Sequence, residues 1–568
     1  MICRFLATCT VLALCLAACG DPELPRLVDD QHAARLIQAV RQAVDNQGRD
    51  ETPTGTVAGA IVTIYDNHGN QSSAGVFGND LTVCVIQAAA RLGVTGIEPT
   101  FVSVHVLRDL RKVRWARLRE AGFGYHRGLY AVVRVSGGKA RAFSEVDMHV
   151  RGLTVEAALS RLTGGKGTAL HGKMPADGAY LAATESFTND PAGRLVRLYR
   201  ASSPLPSLTG SQIGAYLRLG GDYLCRLLLD DNRFVYEGDV GRDTTTKNYN
   251  QLRHAGTIYA LYQLFQATGV STYRETADRA WTWLMAQVRT DRDSRGNVCA
   301  YTVEDGKIKL GSSGLTLIAL SERLRINRND ADLTLGRQLA NHILRSQRPN
   351  GSLASYHALP GKKAKRQRSI YYPGEAMLGL IRFYQFDPNP AYLNAVAKAA
   401  DYLIHDRWRV IGLELFVPPD AWLMLALNEL HKVRPQADYA DYCLRLADGM
   451  MADQLMADWQ VPYPDYRGGY FPYAPQVTPA GSRMEGLTAA YLVAQRTGRN
   501  TAALKRTIAA AARFQLQCMI RPEFAHLYPK PQLALGAFRH SPISNRVRID
   551  YNQHNISGLL VAAKILSN

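Results

Sequence analysis

The chain has 568 residues, of which 46% are hydrophobic and 20% charged, with 47 Gly and 25 Pro. That composition excludes disordered, collagen-like and polytopic membrane chains, and the length calls for more than one ordinary domain. Lys and Arg number 67 against 49 Asp and Glu, a formal charge of +18 that points to an acidic partner: an anionic polymer, a lipid surface or a nucleic acid.

The N-terminus sets the expected compartment. Arg4 precedes an apolar run from Phe5 to Ala18, too short to span a bilayer and suited to the h-region of a signal peptide. The run ends in Leu16-Ala17-Ala18-Cys19, which resembles the lipobox of bacterial lipoproteins. The resemblance implies that residues 1–18 are removed, that Cys19 carries lipid and that residues 19–27 form a tether. The expected location is then the bacterial cell envelope, lipid-anchored, on the periplasmic or outer-surface side. That location disfavours nucleic acid as the partner. Of the nine cysteines, Cys84, Cys225, Cys299, Cys443 and Cys518 lie beyond this segment. They are spread out and lack any CxxC, so buried thiols are expected rather than a disulfide framework or a zinc site, and no metal or cofactor is expected.

Residues 28–170 read as an α+β domain. Ala34, Leu36, Ile37, Val40 and Val44 fall at helical spacing. Alternating apolar residues around Asp66-Asn67-His68-Gly69-Asn70 predict a hairpin, and Gly137-Gly138 predicts a second. The stretches from Leu81 and from Thr154 read as helices, and the stretch from Phe101 starts as a strand. The order resembles the AMME chromosomal-region protein family, through Ser73-Ala74-Gly75-Val76-Phe77-Gly78, Val102-Ser103-Val104-His105-Val106-Leu107 and Phe143-Ser144-Glu145-Val146. That family's motif cysteine falls at Val76, and its arginine at Ser73 or Ala74. The resemblance therefore implies a fold and no reaction, and a docking or structural role toward an envelope protein partner. Residues 171–208, rich in Pro, Ser and Gly, read as a linker.

Residues 209–568 carry a repeat. Amphipathic helices are predicted near 210–228, 272–288, 333–347, 391–405, 437–455 and 501–518. Each is followed by an apolar helix rich in small residues, starting near Asn248, Ser312, Tyr371, Pro419, Ser482 and Asp550. Six such pairs predict an all-α (α/α)6 toroid with the apolar helices inside, the other reading being an open solenoid. The longer outer-to-inner loops would gather the inner helix N-termini around one mouth, which favours anions.

Polar residues cluster at those starts. Glu375, Glu485, Asp550, His254 and Asp420 are the candidate catalytic groups. Tyr249, Asn250, Arg253, Tyr371, Tyr372, Arg483, Tyr551 and His554 are the candidate substrate-binding groups. Paired carboxylates suit glycoside hydrolysis, and Tyr or His beside Arg suits lyase or epimerase chemistry on uronates. Each also has a structural reading. Glu375 and Glu485 in a first turn complement the helix dipole, Asp420 and Asp550 serve as N-caps, and both histidines fit an apolar core.

The repeat resembles the toroids of six-hairpin glycosidases, polysaccharide lyases and the C-terminal domain of glucuronyl epimerases. Tyr249-Asn250-Gln251-Leu252-Arg253-His254 is similar to a Tyr-Asp-Leu-Arg-His phrase of those epimerases. Gln347 and Gly351 echo a terpene-cyclase repeat, but Leu353 stands where that repeat has Trp and no Asp-x-Asp-Asp occurs. The Cys/His zinc set of lanthionine-cyclase toroids is missing as well. The run from Lys362 to Arg368 is either a solvated loop or a positive rim for an acidic glycan or anionic lipid. No Gly-rich phosphate loop, Gly-x-Ser-x-Gly or His-Glu-x-x-His occurs. Two functions follow: an exported lipoprotein that hydrolyses, lyses or epimerises an anionic polysaccharide, or a non-catalytic envelope lipoprotein that binds a glycan or protein.

Overall fold

The computed structural model describes residues 28–45, 57–92, 97, 100–113, 127–205, 208–358, 368–409 and 417–567. The signal segment, Cys19, the tether and the basic run up to residue 367 lie outside the described residues. Among the described residues no helix is long and apolar enough to cross a membrane.

The N-terminal unit is built on a closed barrel. After α1 (Asp30–Asp45), β1 (Gly59–Tyr65) and β2 (Gln71–Phe77) form the first expected hairpin, its turn held by Asp66, which accepts from the backbone N–H of His68 and Asn70. α2 (Leu81–Ala90), β3 (Phe101–Lys112), the second hairpin β4 (Tyr130–Ser136) and β5 (Lys139–Phe143), α3 (Glu145–Val150) and α4 (Val155–Thr163) follow. β6 (Thr168–Gly172), β7 (Gly178–Asn189) and β8 (Leu195–Leu198) complete the unit. The ladder runs β3-β1-β2-β6-β5-β4-β7 and returns to β3, so seven strands close and β8 extends β7. All rungs are antiparallel except β2–β6.

Period-two alternation sorts the side chains. Ile61, Phe77, Leu107, Val133, Ala142, Leu170 and Ala182, one from each strand, fill the interior. Ala60, Val62, Ile64, Val102, Val104 and Val106 face outward under α1 and α2, so β1 has no polar face. α3 and α4 cover the opposite flank through Met148, Ala158 and Leu162. Gly75 is required by close approach: a Cβ there would lie 2.2 Å from Leu170 Cδ2. The strands β7 and β8 lie inside residues 171–208, which the composition had marked as a linker. That stretch completes the barrel, and the toroid follows it almost directly.

Twelve helices then alternate. The outer and inner pairs are α5 (Gly210–Arg226) and α6 (Gln251–Thr268), α7 (Ser271–Ala286) and α8 (Leu310–Ile326), and α9 (Asp330–Arg345) and α10 (Tyr372–Phe383). The remaining pairs are α11 (Pro390–Asp401) and α12 (Ala421–Val433), α13 (Ala437–Ala452) and α14 (Val477–Arg496), and α15 (Ala502–Gln517) and α16 (Ile549–Ser567). Each inner helix touches the next, and α16 touches α6, so the ring is closed. Small residues permit this. A Cβ on Gly314 would meet the Glu375 backbone at 2.7 Å, and one on Gly374 would meet Leu423 N at 2.6 Å. Cys84, Cys299, Cys443 and Cys518 are buried free thiols, and Cys225 is a half-buried one.

The barrel rests on the toroid through residues 518–548 and the loop before α14. His526 stacks on Phe101 at 4.2 Å and bonds Thr188. Arg539 meets His149 at 2.8 Å, and Asn545 donates to the carbonyls of His149 and Val150. Arg200, fully buried, reaches Asp465 at 3.4 Å and lies 4.3 Å over the ring of Tyr463.

Candidate functional site

All six inner helices send residues from their N-terminal portions to one open cavity of about 560 Å³. α6 supplies Asn250, its N-cap, and Arg253; α8 supplies Leu315; α10 supplies Tyr371, Tyr372 and Glu375. α12 contributes Trp422, α14 Ser482 and Arg483, and α16 Asp550, Gln553 and His554. Tyr470 and Phe471, from the loop before α14, form part of the rim. No described residue of the barrel lines it.

Glu375 sits in the first turn of α10, buried, and its Oε2 has no hydrogen-bond partner among the described residues. Burial and the nearby Asp420 charge push its pKa up to about 8, against a weaker pull from Arg253. At neutral pH it is therefore a carboxylic acid with a proton to give. It fits only because position 311 of α8 is glycine: a Cβ there would lie 2.0 Å from Glu375 Oε2.

Across the ring, His554 Nδ1 bonds Glu485 Oε2 at 2.7 Å. Glu485 Oε1 accepts from Tyr259 at 2.8 Å, and the same hydroxyl accepts from Gln553 at 2.9 Å. Burial opposes a charged imidazole, but the charge and hydrogen bond of Glu485 outweigh it and raise the pKa of His554 above its ordinary value. The Trp422 ring packs edge-on to His554 at 5.7 Å. Glu485 fixes the ring with Nδ1 as donor, which leaves Nε2 to accept a proton. Glu485 is not in a first turn as expected. α14 begins at Val477, so Glu485 is its ninth residue and lies deep behind His554.

The remaining carboxylates are committed. Asp550 accepts from Arg253 at 2.9 Å and from Arg548 at 2.6 and 2.9 Å, so both oxygens are held. Asp420 is fully buried outside the cavity wall, capping α12 through Leu423 N and pairing with Arg407 at 3.0 Å. Its expected catalytic role gives way to a capping one. Burial pushes its carboxyl up, and Arg407 opposes this.

His254 also stands apart. Nδ1 is bonded to Tyr249 at 2.7 Å and Nε2 lies 2.9 Å from the Ala280 carbonyl, so the ring is spent between α6 and α7. Burial lowers its pKa to about 4. Tyr249 packs with it against Trp283, and Tyr551 is buried against Arg548 and His540. None of these three lines the cavity. Arg483 does, stacked 4.9 Å over Tyr470 and, among the described residues, with only a distant carboxylate contact, to Asp453 at 3.8 Å. Tyr371 stands at the rim, 42% exposed.

Trp422, Gln553, Tyr259 and Arg548 were not singled out in the sequence. Trp422 and Arg548 were findable, because each lies within two positions of an aspartate that was. Tyr259 was not, because its link to Glu485 crosses from α6 to α14. Among the described residues no three His, Cys, Asp or Glu side chains converge to hold a metal.

No family profile matches this chain, and no curated protein matches it. Among solved structures it is similar to a D-mannose isomerase at 14% identity over 62% of this chain and 97% of that one, with a TM-score of 0.48. It is similar to the cellobiose 2-epimerase of Bacillus thermoamylovorans B4167 at 11% identity over 62% and 99%, with a TM-score of 0.48. A heparin-specific unsaturated glucuronyl hydrolase matches at 12% identity over 62% and 97%, with a TM-score of 0.44. These are carbohydrate-processing proteins, and the likeness covers the C-terminal part of this chain.

Proposed function

We propose that the toroid cavity processes an acidic polysaccharide by proton transfer, as a lyase or epimerase of uronate units. The observation that carries this reading is the pairing in one cavity of Glu375, an acid that keeps its proton at neutral pH, with His554, a base oriented by Glu485. In this scheme the carboxylate of the sugar lies against Arg483, which neutralises it and acidifies the adjacent C–H. His554 Nε2 takes that proton, and the electron pair passes into the carboxyl group. Glu375 then gives its proton to the departing glycosidic oxygen in lysis, or to the opposite face of the same carbon in epimerisation. Phe471 at the rim and Trp422 in the wall offer aromatic surface to the sugar. Hydrolysis by two carboxylates fits less well, because both oxygens of the second cavity-lining carboxylate, Asp550, are already bound by arginines.

The test is turnover of polyuronates by the protein lacking residues 1–18, followed by the ultraviolet absorbance of an unsaturated product and by proton exchange into the sugar. Activity should rise as His554 loses its proton and fall as Glu375 loses its own near about 8. Glu375→Gln should reduce turnover by about a hundredfold or more. Full activity in that variant would sink the assignment.

The lipobox-like N-terminus supports an envelope location for this enzyme, tethered through Cys19. Labelling with a fatty-acid analogue in a bacterial host should mark the parent chain and not Cys19→Ser. Equal labelling of both would rule the anchor out.

A further inference from the structure

A second open cavity, of about 590 Å³, lies beside the first, and Ser369 belongs to the walls of both. Each has three arginines in its wall, but the first, with Arg253, Arg483 and Arg548, also has the carboxyl groups Glu375 and Asp550. In the first, Arg253 and Arg548 are answered by Asp550. The second has Arg348, Arg368 and Arg407 in its wall and no Asp or Glu among its described lining residues.

Of these three, only Arg407 has a carboxylate partner among the described residues, and that is Asp420, which lies outside the cavity wall. Arg407 is only 10% exposed at its side chain, and its Nε and Nη2 have no hydrogen-bond partner among the described residues. It is held in place by Asp420, by the Ile370 carbonyl at 3.3 Å and by the Trp408 ring 4.7 Å away. Arg348 and Arg368 are exposed and can swing toward a ligand. The rest of the wall is largely apolar or aromatic, including Trp408, Tyr402 and Tyr356. A guanidinium held beside an indole ring, with two more arginines in the wall, suits a carboxylate carried on a partly apolar body.

We propose that this second cavity is a subsite for a carboxylate-bearing sugar unit, so that an acidic chain crosses at Ser369 with one unit in each cavity. The proposal rests on the reading of the first cavity as a sugar site and names its substrate class: a polyuronate, recognised over at least two units. Positive charge with no carboxylate among the described lining residues draws in the polymer, and the effect weakens with salt. The first cavity does the chemistry, and the second selects the charge and sets the register.

The experiment is equilibrium binding and turnover with tetrameric galacturonate, mannuronate and glucuronate. The same oligomers with their carboxylates reduced to alcohols, and a sulfated neutral oligomer, serve as comparisons. The proteins are the chain without residues 1–18 and its Arg348→Gln/Arg368→Gln variant, both changes being at exposed positions. At least one uronate tetramer should bind the parent about tenfold or more tighter than its reduced form. The double variant should lose most of that difference and flatten the salt dependence, while binding of the reduced form stays unchanged. Circular dichroism of the variant would guard against misfolding, and Arg407→Lys should give an intermediate loss.

Equal affinity of parent and double variant for every uronate tetramer would overturn the proposal. So would preference for the sulfated oligomer, or failure of all three uronates to bind at low salt. Charge-selective binding lost in the double variant, with no product formed by the parent, would support the subsite and overturn only the catalytic reading. Product formation with no effect of the double variant on affinity or KM would do the reverse.

Discussion

Glu375 is a residue whose environment works against ordinary stability. Its ordinary pKa is 4.5, and in the folded protein burial and Asp420 push it up to about 8. Between those values the unfolded chain has released a proton that the folded chain retains, so folding stability falls as pH rises through this window. A neutral side chain of the same shape escapes that loss. Glu375→Gln should therefore raise stability by at least about 1 kcal/mol at pH 7, with the gain shrinking toward pH 4.5 as the parent's unfolded state becomes protonated too. Thermal unfolding of both proteins across pH 4 to 8 is the measurement. A gain in Tm at neutral pH together with a loss of turnover is the pattern of a group retained for function. A variant no more stable than its parent at pH 7 would mean that Glu375 ionises freely and is no general acid. His554 shows a different solution to the same burial problem: its charged form is paid for locally by Glu485.

At the scale of the element, the inner helices determine where these groups can stand. The first turn of α8 leaves the space that Glu375 occupies, because Gly311 and Gly314 have no side chains. The two glycines meet different parts of α10. A Cβ at 311 strikes the Glu375 carboxylate at 2.0 Å and Tyr372 at 2.6 Å, whereas one at 314 strikes backbone at 2.7 Å. Gly311→Ala should therefore displace a flexible side chain, lowering turnover by about tenfold or more with a modest change in Tm. Gly314→Ala should force the helices apart and cost about 1–3 kcal/mol. Kinetics and unfolding on the same pair of variants test this, and the reverse assignment of effects would refute it. The helical elements were legible because period and composition agree: all six outer helices lie within a few residues of their expected spans, from α5 at Gly210 to α15 ending at Gln517. α14 starts at Val477, ahead of the expected Ser482, and Pro479 is tolerated in its first turn. β7 and β8 were missed because Ser186, Thr188 and Asn189 of β7 are buried rather than set on a solvent face, which hides the alternation, and because the pairing of β7 with β3 is long-range. Within the site, the first-turn residues of α10 and α16 could be read locally. The exclusion of His254 could not, since it depends on Ala280 of a neighbouring helix.

At the scale of the whole molecule, the barrel and the toroid share a seam of buried charge. Arg200 is 2% exposed and held in a turn where it and Ala201 both take a positive φ of 51°. A non-glycine residue sustains that conformation only where its surroundings compensate. Here the compensation is the face of Tyr463, the ring of Tyr466 5.4 Å away and the buried Asp465. Burial pushes the carboxyl of Asp465 up, and the neighbouring Arg200 and Arg539 charges pull it back. Removing Arg200 would leave that carboxyl without its nearest counter-charge, and breaking a buried pair on one side costs about 3–5 kcal/mol. Asp465 lies in the loop that continues to Tyr470 and Phe471 at the cavity rim, so the loss should reach the site as well. Arg200→Ala should lower Tm, split one calorimetric transition into separate barrel and toroid transitions, and raise KM for polyuronates more than it lowers kcat. Arg200→Ala/Asp465→Asn, which removes the orphaned charge, should recover most of the lost stability. If the single variant unfolds in one transition at the parent's Tm, the seam is a passive contact, and the barrel does not brace the loop that rims the cavity.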